Sequence, residues 1–333
     1  MTLRERAIQN LADFAENPYP GRFLILGISP DKSNLAQIYG IMGRSAPSRN
    51  RVFTEYPHGR VEVEVADESK ILDDEEKKLD AATQAELIKE KLRNIVYTAM
   101  AEGEGEYIVS NGNQTSGALS GVQKGWGLAK SLMDYTYEDD GPNFTSRITG
   151  HSLLNAPDLA NIAVLRRGPT GECERLHHLC MVPMEGLGYC ISTYAGNGNP
   201  LPAFQGEPLI VPIPGGDAEE VLRICWKPLD KENLVSMAVK LIDQRSGTSM
   251  IHIKNKYQKV AKEAPLCNTC GSIMERNGDR YKCWKCGATN AVGANSEPMP
   301  IGDEPLCTVC GTITVRTGSG YKCPNCKTPT GFI

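Results

Sequence analysis

The chain has 333 residues, of which 40% are hydrophobic, and its formal net charge is -4. The length predicts one large domain with a small addition, or two domains, and the charge provides no overall field that would attract nucleic acid. No apolar run of about 18 residues occurs, and residues 1–20 lack the apolar segment of a signal peptide, so we expect neither a transmembrane helix nor a leader.

The apolar periodicity predicts helices and strands that do not alternate regularly along the chain. Helices are predicted over residues 4–16, 81–101 (with Tyr97 on it), 117–133 and 217–244 (interrupted near Pro228). Strands are predicted over residues 22–28, 35–42, 51–55, 61–65, 107–110, 162–166, 176–183, 187–194, 209–213 and 250–253. The irregular order favours an antiparallel α+β layered fold over a doubly wound one. No dinucleotide-binding glycine motif, P-loop or nucleophile elbow occurs.

Residues 43–51, the arginine-rich connection, follow the second predicted strand. Arg44, Arg49 and Arg51 lie there between two apolar runs, together with serines and an asparagine. A guanidinium binds phosphate at two points, and hydroxyl and backbone N–H groups at a turn complete an anion site. Two interpretations are open from these residues: a site for a phosphate-bearing small ligand, and a solvated basic hairpin tip.

Two further polar connections are ambiguous when taken singly. Residues 111–117 include Asn111 and Asn113, whose amides offer the paired donors and acceptors that a purine-like or carboxamide ligand needs. An ordinary Asn-Gly turn has the same composition. Residues 134–150, the acidic connection, carry Glu138, Asp139, Asp140, Asn143, Thr145 and Arg147. An acid beside an arginine can act as a tuned acid or base, or can form a turn whose hydrogen bonds are satisfied internally.

The C-terminal region contains the most specific motif. Two Cys-x-x-Cys pairs separated by twelve residues occur twice, at a period of 40 residues. The eight cysteines are Cys267, Cys270, Cys283, Cys286, Cys307, Cys310, Cys323 and Cys326. Each tight turn presents two sulfurs to one ion, and two turns build a tetrahedral site. We therefore predict two zinc ribbons, at residues 266–290 and 306–330, each with one structural Zn²⁺.

The spacing of the cysteines also indicates the compartment of the protein and the role of the ribbons. Cysteines in metal-binding pairs indicate a reducing compartment, so we predict a cytoplasmic protein. Four cysteine ligands leave no open coordination position, so we expect no catalysis by these ions. Modest numbers of lysines near the ligands favour a structural or protein-docking role of the ribbons over nucleic-acid binding.

Taken together, four segments resemble the archaeal-type inosine monophosphate (IMP) cyclohydrolases and their bacterial relatives. They are residues 43–51, 109–115, 133–148 and 189–194, which occur in the family's order within residues 20–252. The resemblance implies a domain over residues 1–257 with the four-layer αββα sandwich of the N-terminal-nucleophile hydrolases. It also implies the dehydrative closure of 5-formamidoimidazole-4-carboxamide ribonucleotide to IMP, a cyclohydrolase reaction of purine biosynthesis at a cyclic amidine C–N bond, without a catalytic cofactor.

By motif position, the resemblance implies roles for twelve residues. The catalytic set is Arg44, Tyr97, Glu138 and Arg147. The substrate-binding set is Ser45, Arg49, Asn50, Arg51, Asn111, Asn113, Asp140 and Asn143. The three arginines of the arginine-rich connection would bind phosphate and the developing oxyanion, and Asp140 is the rival of Glu138 as the working acid. The family's Thr-Pro-Arg-Ile reads Thr-Ser-Arg-Ile here, so no proline fixes the backbone before Arg147.

Two other functions stay open from the sequence. The appended ribbons and the changed Thr-Ser-Arg motif are also consistent with a non-catalytic module that binds purine nucleotides and docks a protein partner through the ribbons. A different amide hydrolase on the same scaffold is the third. Because such sandwiches often assemble, we expect a homo-oligomer, with neither nucleic acid nor membrane as a partner.

Overall fold

Two antiparallel β-sheets make up most of the larger of two structural units. The computed structural model describes residues 1–93, 95–182, 184–229 and 232–259, and in the cysteine-rich region residues 267, 269–270, 272, 274–277, 280–283, 285–291, 315–317, 320–322 and 329–332. The chain divides into the units Met1–Val260 and Ala261–Ile333. The domain bounds predicted from the sequence, 1–257, 266–290 and 306–330, stay predictions.

The first sheet contains six strands. They are β1 (Arg22–Ile28), β2 (Asn34–Met42), β10 (Leu187–Ser192), β11 (Leu209–Pro212), β12 (Leu234–Asp243) and β13 (Ser249–Asn255). Their order is β11-β10-β1-β2-β12-β13, and all neighbours are antiparallel. Every residue of β1 is buried. A strand covered on both faces reads as a continuous apolar run, as this one does.

The second sheet contains seven strands in sequence order. They are β3 (Arg51–Tyr56), β4 (Arg60–Val65), β5 (Tyr97–Gly103), β6 (Glu106–Ser110), β7 (Arg147–Leu153), β8 (Ala156–Arg167) and β9 (Cys173–Met181). All neighbours are antiparallel. Among the described residues β9 pairs with β8 alone, and its side chains Leu179 and Met181 are 69% and 62% exposed.

The two sheets pack face to face, and helices lie outside them. A buried apolar cluster draws on both sheets, with Leu24 and Tyr39 from one and Val109 and Ile148 from the other. The helices are α1 (Leu3–Glu16), α2 (Ala46–Arg49), α3 (Ala81–Arg93), α4 (Thr115–Gln123), α5 (Leu128–Ser131) and α6 (Ala218–Trp226). Helices α1 and α6 contact the first sheet, and α4 and α5 the second. The molecule is thus a mixed α/β protein with two antiparallel sheets and few helices, while its assignment to the N-terminal-nucleophile sandwich stays a prediction.

Three predicted helices differ from the structure. Helix α3 ends at Arg93, and Tyr97 begins strand β5, so Tyr97 lies on a strand and not on a helix. The helix predicted over residues 117–133 is divided into α4 and α5. Of the helix predicted over residues 217–244, α6 accounts for the first part, whereas residues 234–243 form the buried strand β12. A short apolar run buried on both sides has no periodicity that separates a strand from a helix.

The smaller unit contains short antiparallel strands. Strands β14 (Glu275–Asn277), β15 (Arg280–Lys282) and β16 (Thr289–Ala291) form one sheet, and β17 (Val315–Thr317), β18 (Gly320–Lys322) and β19 (Pro329–Phe332) form another. In neither unit does a described helix combine the length and the apolar character that crossing a bilayer requires.

Candidate functional site

A cleft of about 290 Å³ lies in the larger unit, beside the arginine-rich connection. Its walls carry five arginine and carboxylate side chains: Arg22, Arg44, Arg51, Glu138 and Asp140. The other polar side chains of the lining are hydroxyl groups, phenols and one amide: Tyr19, Ser45, Ser48, Asn143, Thr145 and Tyr194. Arginines thus outnumber carboxylates, which suits a ligand with an anionic group.

The arginine-rich connection owes its shape to a glycine and a capped helical turn. A Cβ atom at Gly43 would lie 2.4 Å from the backbone oxygen of Ser48, so a larger residue would force the backbone apart. Ser45 is the N-cap of α2, and its hydroxyl accepts from the backbone N–H of Ser48 at 3.4 Å. Strand β3 then begins at Arg51, whose backbone is part of the second sheet.

Arg44 and Arg51 both line the cleft, and part of each guanidinium group is bonded to the protein. Nη1 of Arg44 donates to Asn197 Oδ1 and to the Gly198 oxygen, both at 2.6 Å, and Cζ lies 5.6 Å from the ring centre of Tyr19. Arg51 is buried and donates through Nε and Nη2 to two backbone oxygens at 2.8 and 3.1 Å. Burial lowers the pKa of Arg51. Within the described residues, Nε and Nη2 of Arg44 and Nη1 of Arg51 have no recorded protein partner.

Two other residues predicted to bind the substrate, Arg49 and Asn50, instead hold the arginine-rich connection in place. Arg49 donates through Nε to the Gly43 oxygen at 3.0 Å and through Nη2 to Asn233 Oδ1 at 3.3 Å. Both amide atoms of Asn50 bond to the backbone of Asp67, at 2.8 Å each. Neither Arg49 nor Asn50 lines the cleft.

Glu138 forms a buried ion pair on the cleft wall with Arg22, which sequence reasoning did not select. Arg22 donates to both carboxylate oxygens at 2.9 Å and to the Asn111 oxygen at 3.2 Å. Burial opposes the charge on Arg22, but the attraction of Glu138 and smaller effects of Tyr97 and Tyr39 outweigh it, so its pKa lies well above the usual value.

Arg147 also lies near this carboxylate. Its Nη1 lies 3.8 Å from Glu138 Oε1 and donates to Gln114 Oε1 at 3.1 Å, while Nε donates to the Thr136 oxygen at 2.8 Å. A Cβ atom at Gly112 would lie 2.1 Å from Nη1, so the glycine leaves room for this side chain. Burial lowers the pKa of Arg147, and Glu138 opposes that effect.

Asn111 orders the backbone that carries Arg147. Its amide donates to the Ser146 oxygen at 2.8 Å and accepts from the Ile148 N–H at 2.7 Å. These two bonds hold the residues on either side of Arg147. Asn111 is therefore a buried structural residue here, whereas Asn113 is exposed. Neither asparagine lines the cleft.

Tyr97 pairs with Tyr39 across the two sheets. Their hydroxyl oxygens are 2.7 Å apart, and both side chains are buried. Burial raises the pKa of Tyr39 well above its usual value, with a contribution from Tyr97 and a smaller opposing effect of Arg22 and Arg51. Tyr97 is not among the residues that line the cleft.

The acidic connection places a third group of polar side chains on the cleft wall. Asp140 accepts from the backbone N–H of Thr145 at 2.7 Å and from its hydroxyl. The Thr145 hydroxyl also contacts the hydroxyl of Tyr194. Asn143 lines the cleft and accepts from the Leu201 N–H at 3.0 Å.

The sequence thus predicts some of the residues that line the cleft but not all of them. Six of the twelve predicted residues line it: Arg44, Ser45, Arg51, Glu138, Asp140 and Asn143. The strongest missed signal was Arg22, a charged residue at the head of a fully buried apolar strand, which requires a partner. Tyr19 and Tyr194, which also line the cleft, gave no such signal, because an uncharged aromatic side chain needs no charged partner when it is buried.

The smaller unit contains a cluster of four thiols. The sulfur atoms of Cys267, Cys270, Cys283 and Cys286 all lie within 4.8 Å of one another. Two pairs, Cys267 with Cys286 and Cys270 with Cys283, are separated by 3.4 Å. Four converging sulfur donors fit a soft metal ion in tetrahedral coordination. The second predicted set, Cys307, Cys310, Cys323 and Cys326, lies outside the described residues.

Comparison with known proteins identifies one family. A family model described as IMP cyclohydrolase-like protein matches residues 19–246. This range is more than half of the chain and contains every residue that lines the cleft. No match was found among curated proteins. The resemblance inferred from four sequence segments is thereby confirmed.

Proposed function

The chain belongs to the IMP cyclohydrolase-like family, and we propose that it closes the ring of 5-formamidoimidazole-4-carboxamide ribonucleotide to give IMP and water. One observation carries the proposal: within the matched range, distant segments bring three arginines and two carboxylates to one cleft. A phosphorylated ligand needs fixed cations, and an amide that gains and loses protons needs acids and bases beside them.

The reaction makes one C–N bond and removes one molecule of water. The carboxamide nitrogen attacks the formyl carbon, and the formyl oxygen becomes a hydroxyl group that leaves as water. One proton of that water comes from the carboxamide nitrogen and the other from the formamido nitrogen. Because both reacting groups belong to one molecule, the protein contributes mainly by holding them in contact and by moving protons.

We assign the 5′-phosphate to Arg44 and Arg51. Both line the cleft, and both keep guanidinium nitrogens without a recorded protein partner among the described residues. Ser45 and Ser48 lie beside them, and their hydroxyl groups hold the turn in shape, since Ser45 donates to Ser48 and Ser48 donates to the Ser45 backbone oxygen, at 2.9 Å each. A charge-assisted hydrogen bond to phosphate is about twice as strong as a neutral one. Arg49 and Asn50 support this site indirectly, because they hold the connection that carries it.

Glu138 is our candidate for orienting the reacting amides. Arg22 fixes its carboxylate through two hydrogen bonds, and Arg147 lies 3.8 Å from Oε1, so Glu138 presents a rigid acceptor to the cleft. Tyr97 and Tyr39 form a buried hydroxyl pair that acts electrostatically on Arg22, and we assign Tyr97 to orientation of that group. Asn143 and Asp140, which also line the cleft, complete the binding set.

We further propose the N-terminal-nucleophile type of sandwich for the larger unit and zinc for the thiol cluster. The facing sheets and outer helices support the first. Cys267, Cys270, Cys283 and Cys286 would hold Zn²⁺, which supplies folding energy to a unit too small for a sufficient core of its own. We propose the same for the four later cysteines on the basis of their spacing.

The test is direct turnover by the purified full-length chain. The formamido ribonucleotide is added, and absorbance is followed as the purine ring forms. Formation of IMP by the wild-type chain, abolished by excess IMP as a competitor, supports the proposal. Binding of IMP with no turnover would overturn it in favour of a nucleotide-binding regulatory module. Turnover of simple amides without competition by IMP would instead indicate an amide hydrolase.

A further inference from the structure

Asp140, Thr145 and Tyr194 form a continuous chain of hydrogen bonds along the cleft wall. All three residues line the cleft. The Asp140 carboxylate bonds to both the backbone N–H and the hydroxyl of Thr145, and this hydroxyl bonds to that of Tyr194. Thr145 and Tyr194 are buried, with 1% and 4% of their surfaces exposed. The chain thus leads from a carboxylate, through two shielded hydroxyl groups, to the end of a phenol.

The direction of the hydrogen bonds follows from the number of hydrogens. An ionised carboxylate only accepts, so the single hydrogen of the Thr145 hydroxyl points to Asp140. The oxygen of Thr145 must then accept from Tyr194. The Tyr194 oxygen has given its only hydrogen to Thr145, and it can offer only lone pairs to a ligand in the cleft. A ligand N–H group would find an acceptor there.

Tyr194 is held firmly in this position. Its ring stacks on Tyr19, with 5.9 Å between ring centres and an angle of 21° between planes. Gly21 has a φ of +73°, and a Cβ atom there would lie 2.4 Å from Tyr194 Cδ2. Burial raises the pKa of Tyr194 to about 12, so the phenol keeps its hydrogen at neutral pH. A proton relay requires such a neutral hydroxyl.

Of the two carboxylates in the cleft, Asp140 is better placed to accept a proton through a relay. Both oxygens of Glu138 accept hydrogen bonds from the guanidinium of Arg22. This group stays protonated, so it does not pass a proton on in a reversible relay. The recorded hydrogen bonds of the Asp140 carboxylate, within the described residues, come from Thr145 alone.

We propose that Tyr194, Thr145 and Asp140 relay the proton that the carboxamide nitrogen loses during ring closure. This inference rests on the proposed cyclohydrolase function. As the new C–N bond forms and the formyl C=O bond opens, the nitrogen gives a proton to the Tyr194 oxygen. The hydrogen of Tyr194 moves to Thr145, and that of Thr145 moves to Asp140.

The relay then runs in reverse. Asp140 returns its proton through Thr145 and Tyr194 to the oxygen derived from the formyl group. When this oxygen leaves, it takes its second proton from the formamido nitrogen, and the C=N bond of the purine forms. The carboxylate and both hydroxyl groups are restored, so the relay needs no further reactant.

The test compares Thr145→Val with Thr145→Ser in the full-length chain. Valine keeps the shape of threonine but has no hydroxyl, whereas serine keeps the hydroxyl. We expect Thr145→Val to lower kcat about 100-fold or more, the usual contribution of acid–base catalysis, with little change in KM, and Thr145→Ser to retain most of the turnover. The solvent deuterium isotope effect on kcat should be present in the wild-type and serine forms.

Tyr194→Phe provides an independent variant if valine at position 145 prevents folding. It should lower kcat as much as Thr145→Val, and the double variant should lose no more than either single one, because both break the same relay. Equal kcat values for the valine and serine forms would overturn the relay, as would a loss confined to KM. Lack of turnover by the wild-type chain would instead overturn the proposed function itself, and the relay with it.

Discussion

The guanidinium of Arg22 and the carboxylate of Glu138, 116 residues apart in the chain, are joined by two hydrogen bonds of 2.9 Å each. Arg22 begins strand β1 of the first sheet, and Glu138 lies in the acidic connection that leads into β7 of the second. The ion pair therefore ties the two sheets together at the cleft. A charge pair buried this deeply depends on both members, since either one alone would lack a counter-charge.

We expect Arg22→Ala to lower the free energy of unfolding by about 3 kcal/mol or more, because the buried Glu138 loses its partner. Arg147, at 3.8 Å, compensates only in part. Urea denaturation followed by circular dichroism measures the loss. Arg223→Ala is the matched control, because it breaks an exposed pair with Glu220, which water and salt screen, and should cost much less. Similar losses in the two variants would contradict the structural role of the buried pair.

Arg44→Ala should raise KM for the formamido ribonucleotide by about 10- to 100-fold, since a hydrogen bond to a charged group contributes about 1.5–3 kcal/mol. Steady-state kinetics and equilibrium binding of IMP would both report the effect. Arg60→Ala removes an arginine that lies over the ring of Tyr56, away from the cleft, and should leave KM unchanged. An unchanged KM in the Arg44 variant would remove Arg44 from the phosphate site.

Gly43→Ala should destabilise the protein by about 1–3 kcal/mol, because the added Cβ atom would overlap backbone atoms of Ser48. Turnover should fall with it, since the clash displaces the connection that carries Arg44 and Arg51. Gly127→Ala is the control: its Cβ atom would meet nothing within 4 Å. Thermal melting of both variants, with assays below the transition, separates the two positions. Equal stability would show that the connection can adjust.

His151 should make stability depend on pH. Burial lowers its pKa, and the hydrogen bond to Glu106 opposes this only partly. In the unfolded chain this imidazole binds a proton as the pH falls through its ordinary pKa of about 6.5. In the folded chain it binds that proton only at lower pH. Stability should fall as pH decreases below about 6.5, by at most about 1.4 kcal/mol per pH unit from this group.

The measurement is urea unfolding at several pH values between 5 and 8, a range chosen around the ~6.5 of a free imidazole. His151→Gln should flatten the profile relative to the wild type. His252→Gln, on β13, is the comparison variant, and the difference between the two profiles measures the contribution of His151. A slope that persists in His151→Gln would assign the pH dependence to other groups.

Zinc analysis should find two metal ions per chain after purification without chelators, and Cys283→Ser should reduce this to one. Loss of one thiolate from a four-cysteine site removes most of its affinity. Cys173→Ser is the control, since Cys173 lies on β9 and contacts Arg175 rather than the thiol cluster. A full complement of zinc in Cys283→Ser would exclude this cluster as the site.

Much of the fold could be predicted from residue patterns, and two of the failures share a cause. Strands β1 and β2 were found because apolar runs between turn residues define them. The sequence predicts a helix where strand β12 lies, because the ten residues of this strand are almost all buried and show no period of two. The sequence also predicts Tyr97 on a helix, because the apolar residues at the start of β5 fit the helical pattern of the preceding α3, which ends at Arg93.

The site was predictable only in part, because its contacts join distant segments. The composition of the arginine-rich connection is enough to predict Arg44 and Arg51 as site residues. The partnership of Arg22 with Glu138 depends on how two sheets face each other, and no local pattern encodes it. The role of Arg49 could not be separated from that of its neighbours, since only the folded chain turns its guanidinium toward Gly43 and Asn233.

The edge strand β9 has a consequence for handling the protein. Among the described residues it is paired on one side, and it exposes Leu179 and Met181 beside its open backbone groups. Open strand edges with apolar side chains readily join to other strands. Repulsion between chains weakens as the small net negative charge is titrated away, so colloidal stability should be poorest at mildly acidic pH and best in alkaline buffer. Substitution of Leu179 by lysine would place a charge on that edge and should keep concentrated samples clear.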